Sequence, residues 1–417
     1  MRILHVTATY SPCVGGAERK LRAVSERLVA RGHQVTVFAV NGATQREIMS
    51  PEGGTLPERE TINGVSVRRF PPEGLVTKAF RQWTRIPGAW RTSAIVLREG
   101  VGLVGRRPSP LPMLPAILGV EADVVTAMNW VFPPAYACHL ARRMKRFPLV
   151  GIPILHVARP WAESSFFPPM LAACDALLAT THAEEEFMVA RGGRNVMVAG
   201  TGVEPEDFAR PDGALIRRRL GLGDGPVIGF VGRQDRNKGT MTLIEAMREV
   251  WRSVPEARLL LAGQSAHRSR EVNEQLAALP DGDRGRVALL DDFPDGEIAH
   301  ITDACTIVAM PSVEEGFGIA YLEGWMCGRP VIGARIASTK CVIEEGVNGL
   351  LVEPFEVAEL TSAILKLLGD SKLRDRMGAA GRARTLARHT WDAVTDRWEA
   401  TFSSLVSPRS SVVSRGR

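Results

Sequence analysis

The sequence predicts an α/β protein made of two domains, each a doubly wound parallel sheet. Its 417 residues exceed the roughly 100 to 200 residues of a typical domain, so two domains are expected. Short apolar segments alternate with amphipathic helical ones along most of the chain, as doubly wound sheets require. A polar, turn-rich segment at residues 202–225 interrupts this alternation once. We therefore predict a domain boundary near residue 205, with domains at 1–205 and 206–389.

The individual elements follow from runs of apolar residues bounded by turn residues. In the first domain, strands are predicted at residues 3–7, 34–40, 65–70, 123–128, 149–155, 176–180 and 196–199. In the second domain, they are predicted at residues 227–231, 258–262, 287–290, 306–310, 331–334 and 350–352. Helices fall mainly between them, and the helix at 240–254 carries an apolar stripe typical of a core-facing helix. The tail at 406–417 is rich in Ser and Arg, so we expect it to be disordered.

Composition limits the class of protein. The six cysteines are widely scattered without a C-x2-C pair, which favours reduced, buried thiols over disulfides or a zinc site. A single Arg and a short strand at the amino terminus do not resemble a signal peptide. No uncharged run approaches the roughly 20 residues that span a bilayer. We expect a cytoplasmic protein, either soluble or peripheral at the inner face of the membrane, and a net charge of +6 gives no reason to expect a nucleic-acid partner.

Two carboxylates lie in the segment 311–333, PSVEEGFGIAYLEGWMCGRPVIG. Glu315 falls in a glycine-flanked turn after a strand, and Glu323 falls about two turns into the following helix. Between them, the N–H groups of Phe317, Gly318 and Ile319 lie where the helix begins, which favours an anion such as a diphosphate. Carboxylates beside an anion site indicate a ligand with hydroxyls and phosphate, such as a nucleotide-sugar. A buried strand followed by an ordinary helix with solvated glutamates is the alternative.

Two cations lie in a second strand-to-helix loop, in the segment 230–239, FVGRQDRNKG. Arg233 and Lys238 follow the strand at 227–231, at the carboxyl edge of the sheet where ligands of open parallel sheets bind. Two cations at that edge can hold a diphosphate leaving group. When this segment is considered by itself, ordinary solvated loop charges are the alternative interpretation.

Together these segments resemble the retaining glycosyltransferases of the GT-B fold, often called group 1. The resemblance also includes residues 2–19 (RILHVTATYSPCVGGAER), 178–185 (LATTHAEE), 202–208 (GVEPEDF), 243–246 (LIEA) and 346–352 (GVNGLLV). It runs with gaps from residue 1 to the region of Trp391, and several ordered motifs are more specific than any one. It implies two Rossmann-like domains facing a central cleft, with a helix at about 390–405 that returns to the first domain.

The resemblance implies transfer of a sugar from a nucleoside diphosphate donor (UDP, GDP or ADP) to an acceptor hydroxyl, with retention of configuration. Arg233 and Lys238 correspond to the cations that stabilise the departing diphosphate, so no metal or other cofactor is expected. Glu323 corresponds to the glutamate that binds both ribose hydroxyls. Glu315 corresponds to the residue that contacts the transferred sugar, and His156 to the histidine that approaches that sugar from the first domain.

The remaining candidates bind the donor or the acceptor. Besides the residues above, the resemblance assigns donor-side positions to Gly15, Gly16, Phe293, Gly316, Phe317, Gly318 and Ile319. Because Gly15 and Gly16 lack a Cβ, they permit close backbone approach to a ligand. The alternative is that they only allow the chain to make a tight turn. Glu18 is either an acceptor contact or a first-turn carboxylate favoured by the helix dipole.

One segment departs from the family pattern, and two others only loosely match motifs of other folds. After residues 330–335 the family has Gly-Gly and Pro-Glu, whereas Ala337, Ser338, Lys340 and Cys341 stand here, which puts the inferred sugar and base preference in doubt. The GLGDG run at 221–225 precedes a strand, so it is not a dinucleotide fingerprint. The DGD run at 281–283 is interpreted as a solvated turn rather than a metal site.

The acceptor is left open between a sugar, a lipid-linked molecule and a small molecule. Residues 75–107 carry seven basic residues and two tryptophans against one acidic residue, Glu99. Such a segment can lie on an anionic membrane, or form solvated helices. The basic and tryptophan positions are Lys78, Arg81, Trp83, Arg85, Trp90, Arg91, Arg98, Arg106 and Arg107. Two other functions stay open: a sugar-nucleotide epimerase on the same fold, and a catalytically silent subunit that binds a nucleotide-sugar or polysaccharide.

Overall fold

The computed structural model describes residues 1–73, 108–109, 111–156 and 166–406. Its chain divides into two compact units, one formed by Met1–Ala199 with Val394–Arg417 and the other by Gly200–Ala393. The basic, tryptophan-containing segment at 75–107 and the tail at 407–417 lie outside the described residues.

The first unit contains an eight-stranded sheet, with the order β3-β4-β2-β1-β5-β6-β7-β8 among its described residues. The strands are β1 Arg2–Val6, β2 Gln34–Val40, β3 Arg59–Ile62, β4 Val65–Phe70, β5 Val124–Met128, β6 Leu149–Ile152, β7 Ala176–Ala179 and β8 Val196–Val198. All pairs are parallel except β3 with β4. The strand order reverses between β1 and β5, so the loop after β1 lies at the edge where such sheets bind ligands.

Helices of the first unit connect its parallel strands, because parallel strands require crossover connections. They are α1 Gly16–Ala30, α2 Gln45–Met49, α3 Leu114–Gly119, α4 Pro134–Met144, α5 Phe167–Ala173 and α6 His182–Ala190. The core between them is formed by apolar strand residues such as Leu4, Val6 and Val125 together with buried helix residues.

The second unit contains a six-stranded sheet in the order β11-β10-β9-β12-β13-β14. The strands are β9 Val227–Val231, β10 Arg258–Gly263, β11 Val287–Asp291, β12 Ile307–Met310, β13 Val331–Ala334 and β14 Gly349–Val352, and every pair is parallel. The order reverses between β9 and β12, which pair through Ile307 and Ile228. The loops after these two strands therefore meet at one edge.

Most helices of the second unit connect its strands. The helices are α7 Gly213–Leu220, α8 Thr240–Ser253, α9 Arg270–Ala277, α10 Asp281–Arg284, α11 Ile298–Asp303, α12 Ile319–Met326, α13 Ala337–Lys340, α14 Val357–Gly369 and α15 Ser371–Arg388. Of these, α7 precedes β9, and both α14 and α15 follow β14. In α8 the predicted stripe is buried, and Leu243, Met247 and Val250 are fully inaccessible to solvent. The predicted fold class, two doubly wound parallel-sheet domains, is confirmed.

The closing helix, α16 Trp391–Val406, begins in the second unit and continues in the first. In the first unit, Trp398 packs edge-on against His5 of β1, with ring centroids 5.9 Å apart. The division falls after Ala199 rather than near residue 205. Val203 forms an isolated β-bridge with Thr390. Its N–H donates to the His389 carbonyl and its carbonyl accepts the Trp391 N–H, and these bonds join residues 200–205 to the second unit.

Four local predictions need correction. Strand β3 was missed because its sequence, RETI, is mostly polar and only one partner strand covers it. The turn-rich segment contains α7, which Asp212 caps by accepting the Leu215 N–H and which Gly221 ends in the left-handed conformation. The DGD run forms α10 instead of a turn. The six thiols are free, but only Cys138, Cys174 and Cys305 are buried, whereas the other three are half-buried.

Candidate functional site

The loop between β9 and α8 is held close to the loop that follows β12. Gly239 ends it in the left-handed conformation, with φ of +77°, and a Cβ there would lie 2.2 Å from the Pro311 carbonyl oxygen. Val313 N–H donates to the Asn237 carbonyl over 2.8 Å, and Ser312 Oγ donates to the Lys238 carbonyl over 3.3 Å. One backbone and one side-chain hydrogen bond therefore join the two loops, which fixes where their side chains emerge.

This joining brings Lys238 against Glu315. Lys238 Nζ donates to Glu315 Oε2 over 2.8 Å and to the Glu314 carbonyl over 3.3 Å, and the two paired side chains are 14% and 13% exposed. The Lys238 N–H donates to Asp235 Oδ1 over 2.8 Å, which orients the backbone of the lysine. A largely buried cation and carboxylate thus lie at the edge of the sheet.

Arg233 lies in the same loop but is much more accessible. Its Nε is 3.5 Å from Asp235 Oδ2, and its side chain is 48% exposed. Because one carboxylate pairs this guanidinium loosely, its other donors can reach a ligand at the sheet edge. The loop therefore offers one largely buried, paired cation and one exposed cation.

Helix α12 begins at Ile319, directly after the turn that contains Glu315. Its N-cap is Gly318, with φ of +91° and no side-chain capping bond, so the first N–H groups are not capped by a side chain. A Cβ on Gly318 would lie 2.3 Å from the Tyr321 ring, whereas one on Gly316 would meet nothing within 4 Å. Phe317 is buried and packs edge-on against His389 at 5.2 Å.

Glu323 lies in the second turn of α12, and the helix places it among buried residues. Only 4% of Glu323 is exposed. Nearby in the same helix, Tyr321 donates its hydroxyl to the Met310 carbonyl over 2.8 Å. Burial, and secondarily the charge of Glu315, raises the pKa of Tyr321 well above its ordinary value, so the phenol stays neutral. Phe293 follows β11 and is half-buried against the second core.

The segment that departs from the family pattern forms α13, and it contacts the site directly. Ser338 Oγ donates to the Glu315 carbonyl over 2.5 Å, and Thr339 Oγ1 donates to the Ala334 carbonyl. From its sequence this segment was predicted to be an altered loop, and Ser338 was not predicted to contact the site. The available signal was a pair of hydroxyl residues, Ser338 and Thr339, four and five residues after the end of β13, which neighbours β12.

In the first unit, the predicted glycine loop leads into α1. Gly15 is the N-cap, and its extended backbone is open to any residue, but a Cβ there would lie 2.2 Å from Glu18 Oε2. Gly16 is the first residue of α1, and Thr9 Oγ1 donates to Glu18 Oε1. The carboxylate of Glu18 thus folds back over the glycine and is already engaged within the loop.

His156 follows β6, but the strand is shorter than predicted. It ends at Ile152, because Pro153 cannot donate a ladder hydrogen bond and Ile154 has φ of +54°. His156 is therefore carried by an irregular segment after the strand, where it is half-buried. Within each unit the structure brings the predicted residues to the carboxyl edge of the sheet.

Two further findings concern metals and membranes. Across residues 1–73, 108–109, 111–156 and 166–406, no group of three His, Cys, Asp or Glu side chains is arranged to hold a metal ion. Among the helices in those same ranges, none has the length and apolar character needed to cross a bilayer.

Comparisons with known proteins agree in both units. The chain matches the family described as Glycosyl transferases group 1 over residues 214–384, and the Glycosyl transferase 4-like domain over residues 15–201. It is 30% identical over 315 residues to the D-inositol 3-phosphate glycosyltransferase of Stackebrandtia nassauensis, covering 72% of this chain and 70% of that protein. The protein of the same name from Acidothermus cellulolyticus is 27% identical over 390 residues, covering 91% and 83%.

Solved structures show the same fold. Sucrose-phosphate synthase from Thermosynechococcus elongatus superposes with a TM-score of 0.75 at 21% identity, covering 97% of this chain and 98% of that chain. The Anabaena protein Alr3699/HepE, solved in complex with UDP-glucose, superposes with a TM-score of 0.73 at 22% identity, covering 97% and 100%.

Proposed function

Because the chain belongs to the group 1 glycosyltransferases, with the GT-B fold, we propose that it transfers a sugar from a nucleoside diphosphate donor to an acceptor hydroxyl with retention of configuration. The observation that carries this proposal is the pairing of Lys238 with Glu315 beside the start of α12. A cation, a carboxylate and uncapped N–H groups together suit a ligand that has both phosphate and sugar hydroxyls.

In this reaction the bond between the anomeric carbon and a donor phosphate oxygen breaks. The acceptor oxygen bonds to the same face of the anomeric carbon, and its proton passes to the departing phosphate oxygen. Negative charge develops on the diphosphate, where Arg233 and Lys238 stabilise it as preorganised cations. A divalent metal is not needed for this role. Ile319 and its neighbours at the start of α12 donate N–H groups to the same phosphates.

The sugar and the nucleoside are bound by carboxylates. Glu323 accepts hydrogen bonds from both ribose hydroxyls, and its burial strengthens such charge-assisted bonds. Glu315 contacts hydroxyls of the transferred sugar and does not act as a nucleophile. His156 contacts that sugar as well, Gly15 and Gly16 belong to the donor side, and Glu18 belongs to the acceptor side. Phe293 and Phe317 complete the donor side.

The names of the relatives suggest which substrates to test first. Several are named D-inositol 3-phosphate glycosyltransferase, so a phosphorylated cyclitol is the first acceptor to test, before glycolipid and polysaccharide acceptors. UDP-glucose is the first donor, because HepE was solved in complex with it.

The test is a thermal-shift titration with UDP, GDP, ADP and their glucose conjugates, followed by product analysis. One nucleotide family at about 100 times its Kd should stabilise the protein by about 2.7 kcal/mol, equally with magnesium and with EDTA. With D-inositol 3-phosphate as acceptor, NMR should show the anomeric configuration of the donor in the product. An inverted product, a donor altered without acceptor, or binding without any transfer would each contradict the proposal.

A further inference from the structure

A buried carboxylate lies under the segment that carries His156. Glu184, in the first turn of α6, accepts the Thr180 N–H at Oε2 over 2.6 Å and the Leu155 N–H at Oε1 over 2.7 Å. Glu184 and Leu155 are both buried. One carboxylate thus ties the start of α6 to the residue that directly precedes His156.

A buried lysine completes this group. Lys20 of α1 donates from Nζ to Thr180 Oγ1 over 3.0 Å, and its charge interacts favourably with that of Glu184. Burial lowers the pKa of Lys20 to about 8 and raises the pKa of Glu184. Buried charges are unfavourable without partners, so each of these two groups favours the charged form of the other. The network joins α1, which begins at the glycine loop, to the segments after β6 and β7.

The segment held by Glu184 has an unfavourable backbone conformation. Ile154 has φ of +54°, a region that β-branched residues rarely occupy. Such a conformation persists only where the surroundings hold it, and such residues are concentrated at functional sites. The hydrogen bond from the next residue, Leu155, to Glu184 is a contact that holds it.

We propose that Glu184, supported by Lys20, is a positioning residue for His156. By fixing the Leu155 N–H, it keeps Ile154 in its left-handed conformation and fixes the backbone that carries the imidazole of His156. The inference rests on the proposed role of His156 in sugar transfer. A buried pair that serves stability alone is the competing explanation, and the two differ in what they predict for His156.

The first experiment measures amide hydrogen exchange and needs no substrate. The amide of Gln has one oxygen where the carboxylate has two. In Glu184→Gln, one of the two N–H groups of Leu155 and Thr180 therefore loses its acceptor, and the other donates to a neutral oxygen. We expect hydrogen exchange at residues 154–156 to be at least 10-fold faster than in the wild type. Glu186→Gln, an exposed glutamate on the same helix, is the matched control and should leave that exchange unchanged. Unchanged exchange in Glu184→Gln would overturn the inference.

The second experiment measures UDP release from UDP-glucose with an acceptor. Glu184→Gln should lower kcat about 10-fold with the donor KM within about 2-fold, and it should have no further effect in the His156→Ala background. If the double variant lost kcat by the product of the two single-variant losses, Glu184 would act through stability alone, which would contradict the positioning role. A wild-type protein without transfer activity would refute the proposed function, while the exchange result would still decide whether Glu184 holds this segment.

A rescue variant separates positioning from misfolding. Asn adopts positive φ at a lower energetic cost than Ile does. Ile154→Asn should therefore lower the backbone strain energy that the hydrogen bond between Leu155 and Glu184 offsets. Glu184→Gln combined with Ile154→Asn should fold better, and turn over several-fold faster, than Glu184→Gln alone. A double variant that is neither better folded nor more active would overturn the proposed link between strain and position.

Discussion

Lys238 Nζ lies 2.8 Å from Glu315 Oε2, although 77 residues separate the two along the chain. The contact forms because β9 and β12 are parallel neighbours, so the loops after them meet at one edge. Since the lysine is already paired and largely buried, a bound diphosphate would meet a cation whose position is fixed in advance.

Replacing Lys238 tests this preorganisation. We expect Lys238→Met to lower kcat on the order of 100-fold to 1000-fold, because one preorganised charge contact to the leaving group is lost. The donor KM should change less. Steady-state release of the nucleoside diphosphate measures both, with Lys372→Met, an exposed lysine of the same unit, as the matched control. Wild-type turnover in Lys238→Met would refute the role of this lysine.

Glu323→Gln should weaken donor binding more than it slows the reaction. A neutral amide replaces a carboxylate that accepts two hydrogen bonds, which costs roughly 1.5 to 3 kcal/mol, or about 10-fold to 150-fold in affinity. Isothermal titration with the nucleoside diphosphate measures the change directly. Glu274→Gln, an exposed glutamate on α9, should bind like the wild type. Equal affinities for the wild type and Glu323→Gln would remove this residue from the donor site.

Two glycines of one turn should respond differently to alanine. At Gly318 the φ of +91° and the approach to the Tyr321 ring both oppose a Cβ, so we expect Gly318→Ala to cost about 2 to 4 kcal/mol. Gly316→Ala has open space and should fall within about 0.5 kcal/mol of the wild type. Chemical denaturation measures both variants. Equal stability of the two would show that the backbone at Gly318 is not constrained as described.

The stability of the first unit should depend on pH through His5. This residue is fully buried in β1, with Nδ1 2.8 Å from Thr126 Oγ1, and burial lowers its pKa from 6.5 to about 3. Between pH 6.5 and pH 3 the unfolded chain therefore binds a proton that the folded chain does not. Stability should fall with decreasing pH by about 1.4 kcal/mol per unit from this group alone.

His5→Asn removes the titrating group while keeping an amide that can reach Thr126. Its unfolding free energy should be lower than that of the wild type by a constant amount at pH 7 and above. At pH 5 the wild type should have lost about 2 kcal/mol more than the variant, relative to their values at pH 7. Urea unfolding at the two pH values measures this difference, and parallel losses in both proteins would contradict it.

The extent of sequence-based prediction varied with the kind of feature. The bounds of β2, β4, β9 and β13 agree with their predicted ranges, because a short apolar or alternating segment with polar or turn residues at its ends has few other conformations. Strand β6 was predicted three residues too long, since Ile154 and Leu155 are apolar but do not continue the ladder. Apolar composition indicates burial, but not which backbone hydrogen bonds are made.

By itself, the sequence determined the fold class, the order of most strands, the loops in which Arg233, Lys238 and Glu315 lie, and the helix that carries Glu323. These properties follow from local periodicity and from short motifs, whose information is contained in neighbouring residues. Only the tertiary structure decided that Lys238 pairs with Glu315, that Ser338 supports the backbone of Glu315, and that Glu184 holds Leu155. Each of these contacts joins segments distant in sequence, and strand order and loop packing determine which of them meet.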